Sequence, residues 1–586
     1  MGEPACRVGR LAPVLGGIAV VLFCLPAIVA AEAPRDEAPG TVAGLAPAEA
    51  LRLGERIYRQ GIGADGVPLR AIVADDVRVS GEMFTCVTCH QRSGLGSVEG
   101  PVVAWPITGK ELWAPMRRAK TWNPAKQHDG PGAAERWMLP PHLQPADQRP
   151  PYDDETLARV LRTGIDPNGR SLNRAMPRFD LGERDMALLT NYLKRLSRDT
   201  DPGADDRTLR FATVVTEGVD AADRDAMLAT LRATIDAHNV QTRPYERRAK
   251  LGPFYKTEKY GAYRRLELEV WELSGAPPTW RAQLEERYAQ RPVFALVGGI
   301  AAGSWAPIHE FCEARRIPSI FPLTDRPVVS ESDWYTLYFS KGLYQEGEAA
   351  ARFLRAPGRL TGGTRILQVF RAGSRGEEAA RAVREILGED GAFDLTELEA
   401  GKLSTDLPSP DAGEKTRNAA WLLWLDGPDL RAAVESLTVR APSDTMIIAS
   451  WTLGHRDLDR STKEVRDRLY LTYPHMLPEE RQHRWEAIDR WLDARRIPAE
   501  DPDIQGNMYF LGRMLPAAIG YLRNEFYRDY FLEAFDMMPQ QDFATPAYPR
   551  LSFGPGQRYA AKGCYITRLS TDDPPRLLQV SDWVVN

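Results

Sequence analysis

Apolar residues recur at helical spacing in the first third of the chain. The spacing predicts one helix over residues 47–60 and another over residues 154–163, and a glycine follows each segment as a stop signal. A third helix is predicted after Asp180, because Asp180 and Glu183 have the spacing of a capping box. The apolar face of this third helix carries Met186, Leu189, Tyr192, Leu193 and Leu196.

The pattern changes beyond residue 207, where short apolar runs alternate with helical segments. Such runs are typical of buried parallel strands, and their alternation with helices predicts right-handed β-α-β units in doubly wound sheets. The stretch is too long for one sheet, so two lobes are expected. The predicted strands are 211–215, 266–273, 292–300, 317–323, 364–370, 421–426, 445–450 and 469–473. The predicted helices are 222–238, 280–290, 306–315, 376–387 and 430–437.

A polar segment that contains proline and glycine, residues 199–206, separates these two patterns and is predicted to be a linker. A chain of 586 residues is also too long for a single core. The sequence therefore predicts a first domain at 47–198 and a second domain at 207–586.

The N-terminus has the order of a secretory signal. Arg7 and Arg10 precede an apolar run over residues 11–30, and small residues follow. We expect residues 1–31 to be a signal peptide and residues 32–46 to be a flexible tether, which places the mature protein in the periplasm. The alternative is a retained membrane anchor facing the periplasm, since the run is about long enough to cross a bilayer.

The net charge and the motifs of the sequence limit the classes of function that the protein can have. The net charge of −5 and the pI near 6.0 give no support for a nucleic-acid partner. The sequence shows no Ser-His-Asp order, no H-E-x-x-H motif and no phosphate loop. These absences favour a protein that is not a catalyst.

The sequence Cys86-Val87-Thr88-Cys89-His90 is the C-x-x-C-H signature of covalent haem attachment. Two thiols on one tight turn can add to the two vinyl groups of one haem, and the adjacent imidazole can ligate the iron. A zinc site or a thioredoxin-type redox pair is the alternative for a lone C-x-x-C. No second pair of thiols or imidazoles follows at similar spacing, so we predict one covalent haem c with His90 as proximal ligand.

The order of elements across residues 47–198 resembles the class I cytochrome c family. In that family the first helix crosses the last helix, and a glycine lets an aromatic ring approach. Gly54 and Tyr58 on the first helix and Tyr192 on the last match this pattern. The resemblance implies an all-α domain and a methionine as sixth ligand on the loop before the last helix, where Met176 stands. The rival ligands are Met83, Met116 and Met138, or His128 and His142 in a long insert whose arginines or tryptophans are candidates for a haem propionate.

The second half resembles the type I periplasmic binding proteins, in particular the branched-chain amino-acid and amide class. The resemblance is carried by the stretches 294–304, 317–324, 344–353, 549–558 and 563–568. It implies a two-lobed α/β domain that closes over a small molecule at the carboxyl ends of its strands. The candidate ligand-binding residues are Ser304, which is equally a candidate helix cap, Thr324, Tyr344, Asp426 and Trp451.

These observations predict a periplasmic c-type cytochrome, an electron carrier rather than a catalyst, that transfers single electrons through its haem and is joined to a ligand-binding or docking module. Its partners would be a redox protein, such as a dehydrogenase of a periplasmic oxidation system, and an unidentified small molecule. The alternative is a solute-binding or sensor protein whose haem reports redox state or gas. Cys312 and Cys564 remain, and we favour two buried free thiols over a disulfide.

Overall fold

The computed structural model describes residues 40–100, 102–116, 148–249, 263–360, 364–388, 393–402, 418–440, 445–458, 463–538, 545–552, 554 and 556–585. The predicted signal peptide and most of the tether lie outside these residues, as do His128, Met138 and His142. Within the described ranges, no helix combines the length and the apolar character that crossing a membrane requires.

The first part of the chain folds around one apolar core in which helix α1 crosses helix α4. A Cβ at Gly54 would lie 2.3 Å from the carbonyl oxygen of Leu188 and 2.8 Å from the Cβ of Tyr192, so only glycine permits this approach. The predicted crossing is therefore confirmed. The helices are α1 (Pro47–Gln60), α2 (Cys86–His90), α3 (Asp154–Thr163) and α4 (Glu183–Leu193). The strands are β1 (Arg70–Val73), β2 (Val77–Ser80), β3 (Val98–Glu99), β4 (Val102–Val103) and β5 (Arg178–Phe179).

Two predictions for this part are wrong. The expected all-α character fails because β2, β1 and β5 form a three-stranded antiparallel sheet, which the β-branched residues of 70–80 favour. The expected capping box fails because the N-cap of α4 is Gly182 and not Asp180. The backbone N–H of Asp180 instead donates to the carbonyl of Arg70, which extends the pairing of β5 with β1.

Lobe 1 is a five-stranded parallel sheet in the order β10-β9-β8-β6-β7. Phe211 and Val215 face one apolar cluster while Ala212 and Val214 face another, so helices cover both faces as the sequence predicted. The strands are β6 (Thr208–Thr216), β7 (Arg265–Leu273), β8 (Ala295–Val297), β9 (Ser319–Ile320) and β10 (Thr336–Leu337). Its first helices are α5 (Ala221–Ala249), α6 (Trp280–Gln290) and α7 (Ala306–Arg315).

Lobe 2 has a parallel sheet in the order β12-β11-β13-β14-β15, to which β16 and β17 add antiparallel strands. A short strand, β18, also pairs with β16. The strands are β11 (Arg365–Phe370), β12 (Asp394–Glu399), β13 (Asn418–Trp424), β14 (Met446–Ser450), β15 (Leu469–Tyr473), β16 (Gly563–Leu569), β17 (Leu577–Gln579) and β18 (Val584–Val585). The helices are α8 (Leu343–Arg355), α9 (Glu377–Gly388), α10 (Gly427–Arg440), α11 (Trp451–Leu458) and α12 (Lys463–Arg466).

The chain passes between the lobes three times. It runs from β10 to α8, from β15 through α13 (Pro478–Asp493) to α14 (Pro502–Leu522), and from α15 (Arg528–Met537) to β16. Helices α14 and α15 pack in the core of lobe 1. The first and third connections pair with each other, since Tyr338 donates to the carbonyl of Arg558 at 2.8 Å and Ala560 donates to the carbonyl of Tyr338 at 3.1 Å. We call these paired segments, residues 338–342 and 556–562, the hinge.

Candidate functional site

A cavity of about 380 Å³ lies inside the first domain, between α2, the segment 102–112, α3, α4 and the loop 170–177. Apolar side chains form most of its wall. The apolar lining includes Leu157, Val160, Leu161, Phe179, Leu189 and Leu193.

The three residues of the predicted attachment motif all line this cavity. Helix α2 begins at Cys86 and ends at His90, so one turn presents Cys86, Cys89 and His90 to the same space. Both cysteines are free thiols. Burial raises the pKa of Cys86 to about 12, which keeps this thiol protonated at neutral pH. Among the described residues, no group of three or more His, Cys, Asp or Glu side chains is placed to hold a metal ion.

His90 is held in the state that an iron ligand requires. Its Nδ1 lies 2.9 Å from the carbonyl oxygen of Trp105. Because a carbonyl can only accept a hydrogen bond, Nδ1 carries the proton and Nε2 keeps a free lone pair. Burial lowers the pKa of His90 to about 4, although the bond to Trp105 opposes this, so the ring is neutral. A hydrogen bond from the second ring nitrogen is the usual support of a ligating histidine.

Two methionines line the cavity, Met176 and Met116. Met176 lies on the predicted loop, and its backbone is fixed by a bond from its N–H to the carbonyl of Asn173 and by the Arg178 guanidinium on its own carbonyl. Met83 is 71% exposed and does not line the cavity. The described residues therefore leave Met176 and Met116 as possible sixth ligands from the predicted set.

The lining fits a covalently attached haem. Two thiols and a neutral imidazole stand on one turn, thioethers reach the same cavity, and most of the remaining wall is apolar. The hydroxyl of Tyr58 donates to the carbonyl of Gln91 at 2.6 Å and so fixes the end of that turn. Among the described arginines and tryptophans of the insert, Trp105 and Arg149 line the cavity. The Arg149 guanidinium donates to the carbonyls of Glu111, Leu112 and Pro150.

A second candidate site is the cleft between the lobes, where loops that follow the carboxyl ends of the parallel strands approach each other. Asp325 follows β9 of lobe 1, Arg375 follows β11 of lobe 2, and their side chains form an ion pair of 2.7 Å. Ligands of open α/β sheets bind at such carboxyl ends. Sequence reasoning missed this pair, because nothing in the sequence connects positions 325 and 375.

Four of the five predicted ligand-binding residues follow strands as expected. Ser304 precedes α7 and its hydroxyl accepts the N–H of Ala306 at 3.2 Å, which is a capping contact even though Trp305 holds the N-cap position. Thr324 follows β9, and its hydroxyl accepts the N–H of Arg326 at 3.1 Å. Asp426 is exposed after β13, and Trp451 begins α11 in edge-to-face contact with Tyr473.

Tyr344, the fifth predicted residue, does not follow a strand. Its hydroxyl donates to Glu385 at 2.5 Å, and its ring lies under the guanidinium of Arg381, so the side chain packs between α8 and α9. The position of Tyr344 on α8 rather than after a strand explains the difference.

Glu346 is a buried acid that sequence reasoning missed. One carboxylate oxygen accepts the hydroxyls of Ser450 at 2.8 Å and Thr472 at 2.5 Å, at the carboxyl ends of β14 and β15. Burial raises its pKa to about 7, while these hydroxyls act in the opposite direction. Glu346 therefore joins α8 to the sheet edge that faces the cleft. Cys312 and Cys564 are buried and free, which confirms the prediction for these thiols.

Comparison with known proteins gives matches among solved structures alone. No protein-family model and no curated protein matches the sequence. A fatty acid ABC transporter substrate-binding protein from Thermomonospora curvata is 14% identical over 66% of this chain and 95% of its own, with a TM-score of 0.43. A branched chain amino acid ABC transporter from Thermus thermophilus with bound valine is 13% identical over 65% of this chain and 97% of its own, with a TM-score of 0.43. A leucine binding protein from Thermotoga maritima is 12% identical over 65% of this chain and 99% of its own, with a TM-score of 0.41.

Proposed function

We propose that the protein is an exported small-molecule-binding protein of the two-lobed type that carries one covalently attached haem c. The observation that carries the haem assignment is the convergence of Cys86, Cys89, His90 and a methionine on one apolar cavity. The observation that carries the binding assignment is the pair of parallel sheets whose carboxyl-end loops approach each other across a cleft.

In the haem site, Cys86 and Cys89 would hold the macrocycle through thioethers, and His90 would ligate the iron through Nε2. The carbonyl of Trp105 orients the imidazole and fixes its tautomer. When bound, haem supplies reversible exchange of single electrons between ferric and ferrous iron. The apolar wall of α3 and α4 excludes water from the group, and burial and axial ligation are the factors by which a protein sets a haem potential.

In the binding module, the small molecule would lie between the loops after β8 and β9 of lobe 1 and those after β13 and β14 of lobe 2. Ser304, Thr324 and Asp426 stand in the loops after β8, β9 and β13, and Trp451 begins α11 directly after β14. Hydroxyls, a carboxylate and an indole in one cleft suit a small polar molecule with some apolar surface. Its chemical identity is best found by mass spectrometry of molecules that co-purify with the protein.

Covalent attachment is the direct test of the haem proposal. The full chain is produced in a host that matures c-type cytochromes, alongside the double variant Cys86→Ala, Cys89→Ala. We expect the unaltered protein to retain its haem after acid–acetone extraction, and the double variant to lose it. A colourless unaltered protein, or haem that is fully extracted from it, would refute the assignment.

A second candidate function is that of a simple electron carrier, with the second half serving to dock a periplasmic dehydrogenase. It is favoured by exposed apolar side chains in the segment that precedes the attachment motif, Met83 at 71% and Val77 at 51% exposure. Spectroscopy of the haem distinguishes the two candidate functions. A stable six-coordinate haem that does not bind carbon monoxide when reduced favours the electron carrier. A displaceable sixth ligand favours the binding protein, with a haem that reports redox state or gas.

A further inference from the structure

We propose that the haem-attachment loop and the interlobe hinge are mechanically coupled through Trp334, so that the position of the lobes and the redox state of the haem influence each other. This coupling rests on the proposed function, because it requires a bound haem. The coupling would let the haem site and the cleft between the lobes regulate each other. Neither site implies such regulation on its own.

The loop that follows the motif is buried in lobe 1 rather than exposed to solvent. Leu95 is 2% exposed and belongs to the apolar core that also contains Phe531 of α15. Ser93 donates from its backbone N–H and from its hydroxyl to the two carboxylate oxygens of Glu533, at 2.9 and 2.5 Å. Residues three to five positions after His90 are thus held by lobe 1 itself.

The same loop reaches the hinge through a stack of three side chains. The guanidinium of Arg92 lies 4.3 Å from the ring centre of Trp334, and the guanidinium of Arg558 lies 4.1 Å from it. Trp334 therefore contacts both the loop, two residues from His90, and a hinge residue. Cation–π contacts of this kind strengthen when they are shielded from water, and Arg558 is only 4% exposed.

The hinge side of this stack is fixed by further contacts. The guanidinium of Arg558 donates to both carboxylate oxygens of Asp536, at 3.1 and 2.8 Å, and its carbonyl accepts the N–H of Tyr338. Asp536 lies on α15, one turn after Glu533. Helix α15 therefore contacts the haem-attachment loop through Glu533 and the hinge through Asp536.

Lobe movement changes the dihedral angles of a few connecting residues, and in this chain those residues pair with Arg558. A rotation about the hinge would displace Arg558 against Trp334, and Trp334 against Arg92. Because a coupling free energy is reciprocal, an effect of lobe position on the haem potential requires an equal effect of haem reduction on lobe closure.

The test measures the haem midpoint potential of the full chain while the interlobe ion pair is changed. Arg375→Glu places two carboxylates opposite each other across the cleft and favours opening. Arg371→Glu is the matched control, because it makes the same change of charge at an ion pair with Asp429 that lies within lobe 2. In a second arm, the variant Asp325→Cys, Arg375→Cys is cross-linked with bismaleimidoethane, which holds the lobes together by bonds that reductants do not break.

We expect Arg375→Glu and the cross-linked protein to shift the potential in opposite directions. Each shift should correspond to at least a threefold change in the oxidised-to-reduced ratio, which is about 28 mV for one electron. Arg371→Glu and the two single cysteine variants treated with the reagent should not shift it. The additional substitution Trp334→Leu should abolish both shifts, and Arg92→Gln serves in its place if Trp334→Leu does not fold.

Three failures are distinguishable. A normally attached haem whose potential is unchanged in both arms overturns the coupling and leaves the proposed function intact. The absence of covalent haem overturns the proposed function, and the coupling with it. Equal shifts with Arg375→Glu and Arg371→Glu would assign the effect to net charge and would also overturn the coupling.

Discussion

The hydroxyl of Ser93 lies 2.5 Å from a carboxylate oxygen of Glu533, a residue that is 440 positions further along the chain. This contact joins the turn that carries the attachment motif to helix α15 of lobe 1. Both partners are buried, and the carboxylate accepts no more than the two bonds from Ser93 in the contacts described. The pairing therefore places a buried acid with a shifted pKa where the first domain contacts lobe 1.

The first prediction concerns the pH dependence of stability. Burial raises the pKa of Glu533 from about 4.5 to about 8, with nearby Asp529 and Asp536 acting in the same direction. Between these pH values the folded protein holds a proton that the unfolded chain has lost, so the free energy of unfolding falls as pH rises. One such proton contributes a slope of at most about 1.4 kcal/mol per pH unit.

Glu533→Gln mimics the protonated acid and should remove this contribution. We expect the variant to match the unaltered protein near pH 5 and to exceed it in stability at pH 8, by urea denaturation followed with circular dichroism. Glu346, whose pKa is also raised, titrates in both proteins and cancels in the difference. Parallel curves for the two proteins from pH 5 to pH 8 would contradict the prediction.

The second prediction identifies the sixth ligand. Met176→Leu should abolish the methionine-to-iron charge-transfer band of the oxidised protein and lower the haem potential, because thioether ligation favours ferrous iron. Met116→Leu is the matched control, since Met116 lines the same cavity and the substitution conserves its volume. Loss of the band in Met116→Leu but not in Met176→Leu would reverse the assignment.

The third prediction concerns the helix crossing. Gly54→Ala would place a methyl group 2.3 Å from the carbonyl oxygen of Leu188, and a backbone atom cannot move aside as a flexible side chain can. We expect a loss of about 1–3 kcal/mol of stability in the first domain, as for other overpacked cores. Gly182→Ala is the control, because a Cβ at Gly182 meets nothing within 4 Å. Equal stability of the two variants, measured by urea denaturation, would contradict this packing.

The elements whose bounds depend only on the local pattern of apolar and polar residues were predicted well from the sequence. Helix α6 has the bounds expected from its periodicity, and β15 has those expected from its apolar run. The apolar stretch over 505–535 has helical periodicity, yet it forms two helices, because Arg523 takes a positive φ of 56° between them. A single polar residue with positive φ gives no signal in a hydrophobicity pattern.

The contacts between the candidate sites were beyond prediction for a different reason. Trp334, Arg92 and Arg558 are ordinary residues in their own segments, and only the tertiary fold brings them together. The attachment motif, by contrast, concentrates its chemistry in five consecutive residues, so its position on one turn facing one cavity could be expected from sequence.

The last prediction concerns the buried ion pair of the hinge. Arg558 and Asp536 are 4% and 6% exposed in their side chains, and Nε and Nη1 of Arg558 have no hydrogen-bond partner among the described residues. Asp536→Asn would leave the guanidinium buried beside a neutral group. Because an uncompensated buried charge is costly, we expect the free energy of unfolding to fall by about 3–5 kcal/mol.

The double variant Asp536→Leu, Arg558→Met should lose much less than the single variant, since it removes both charges and keeps an apolar filling beside Trp334. The comparison is a double-mutant cycle completed with Asp536→Leu and Arg558→Met alone, measured by urea denaturation. A double variant that is as unstable as the sum of its single substitutions would mean that the two charges do not depend on each other. In that case Arg558 would be held in the hinge by its backbone and by Trp334, and not by Asp536.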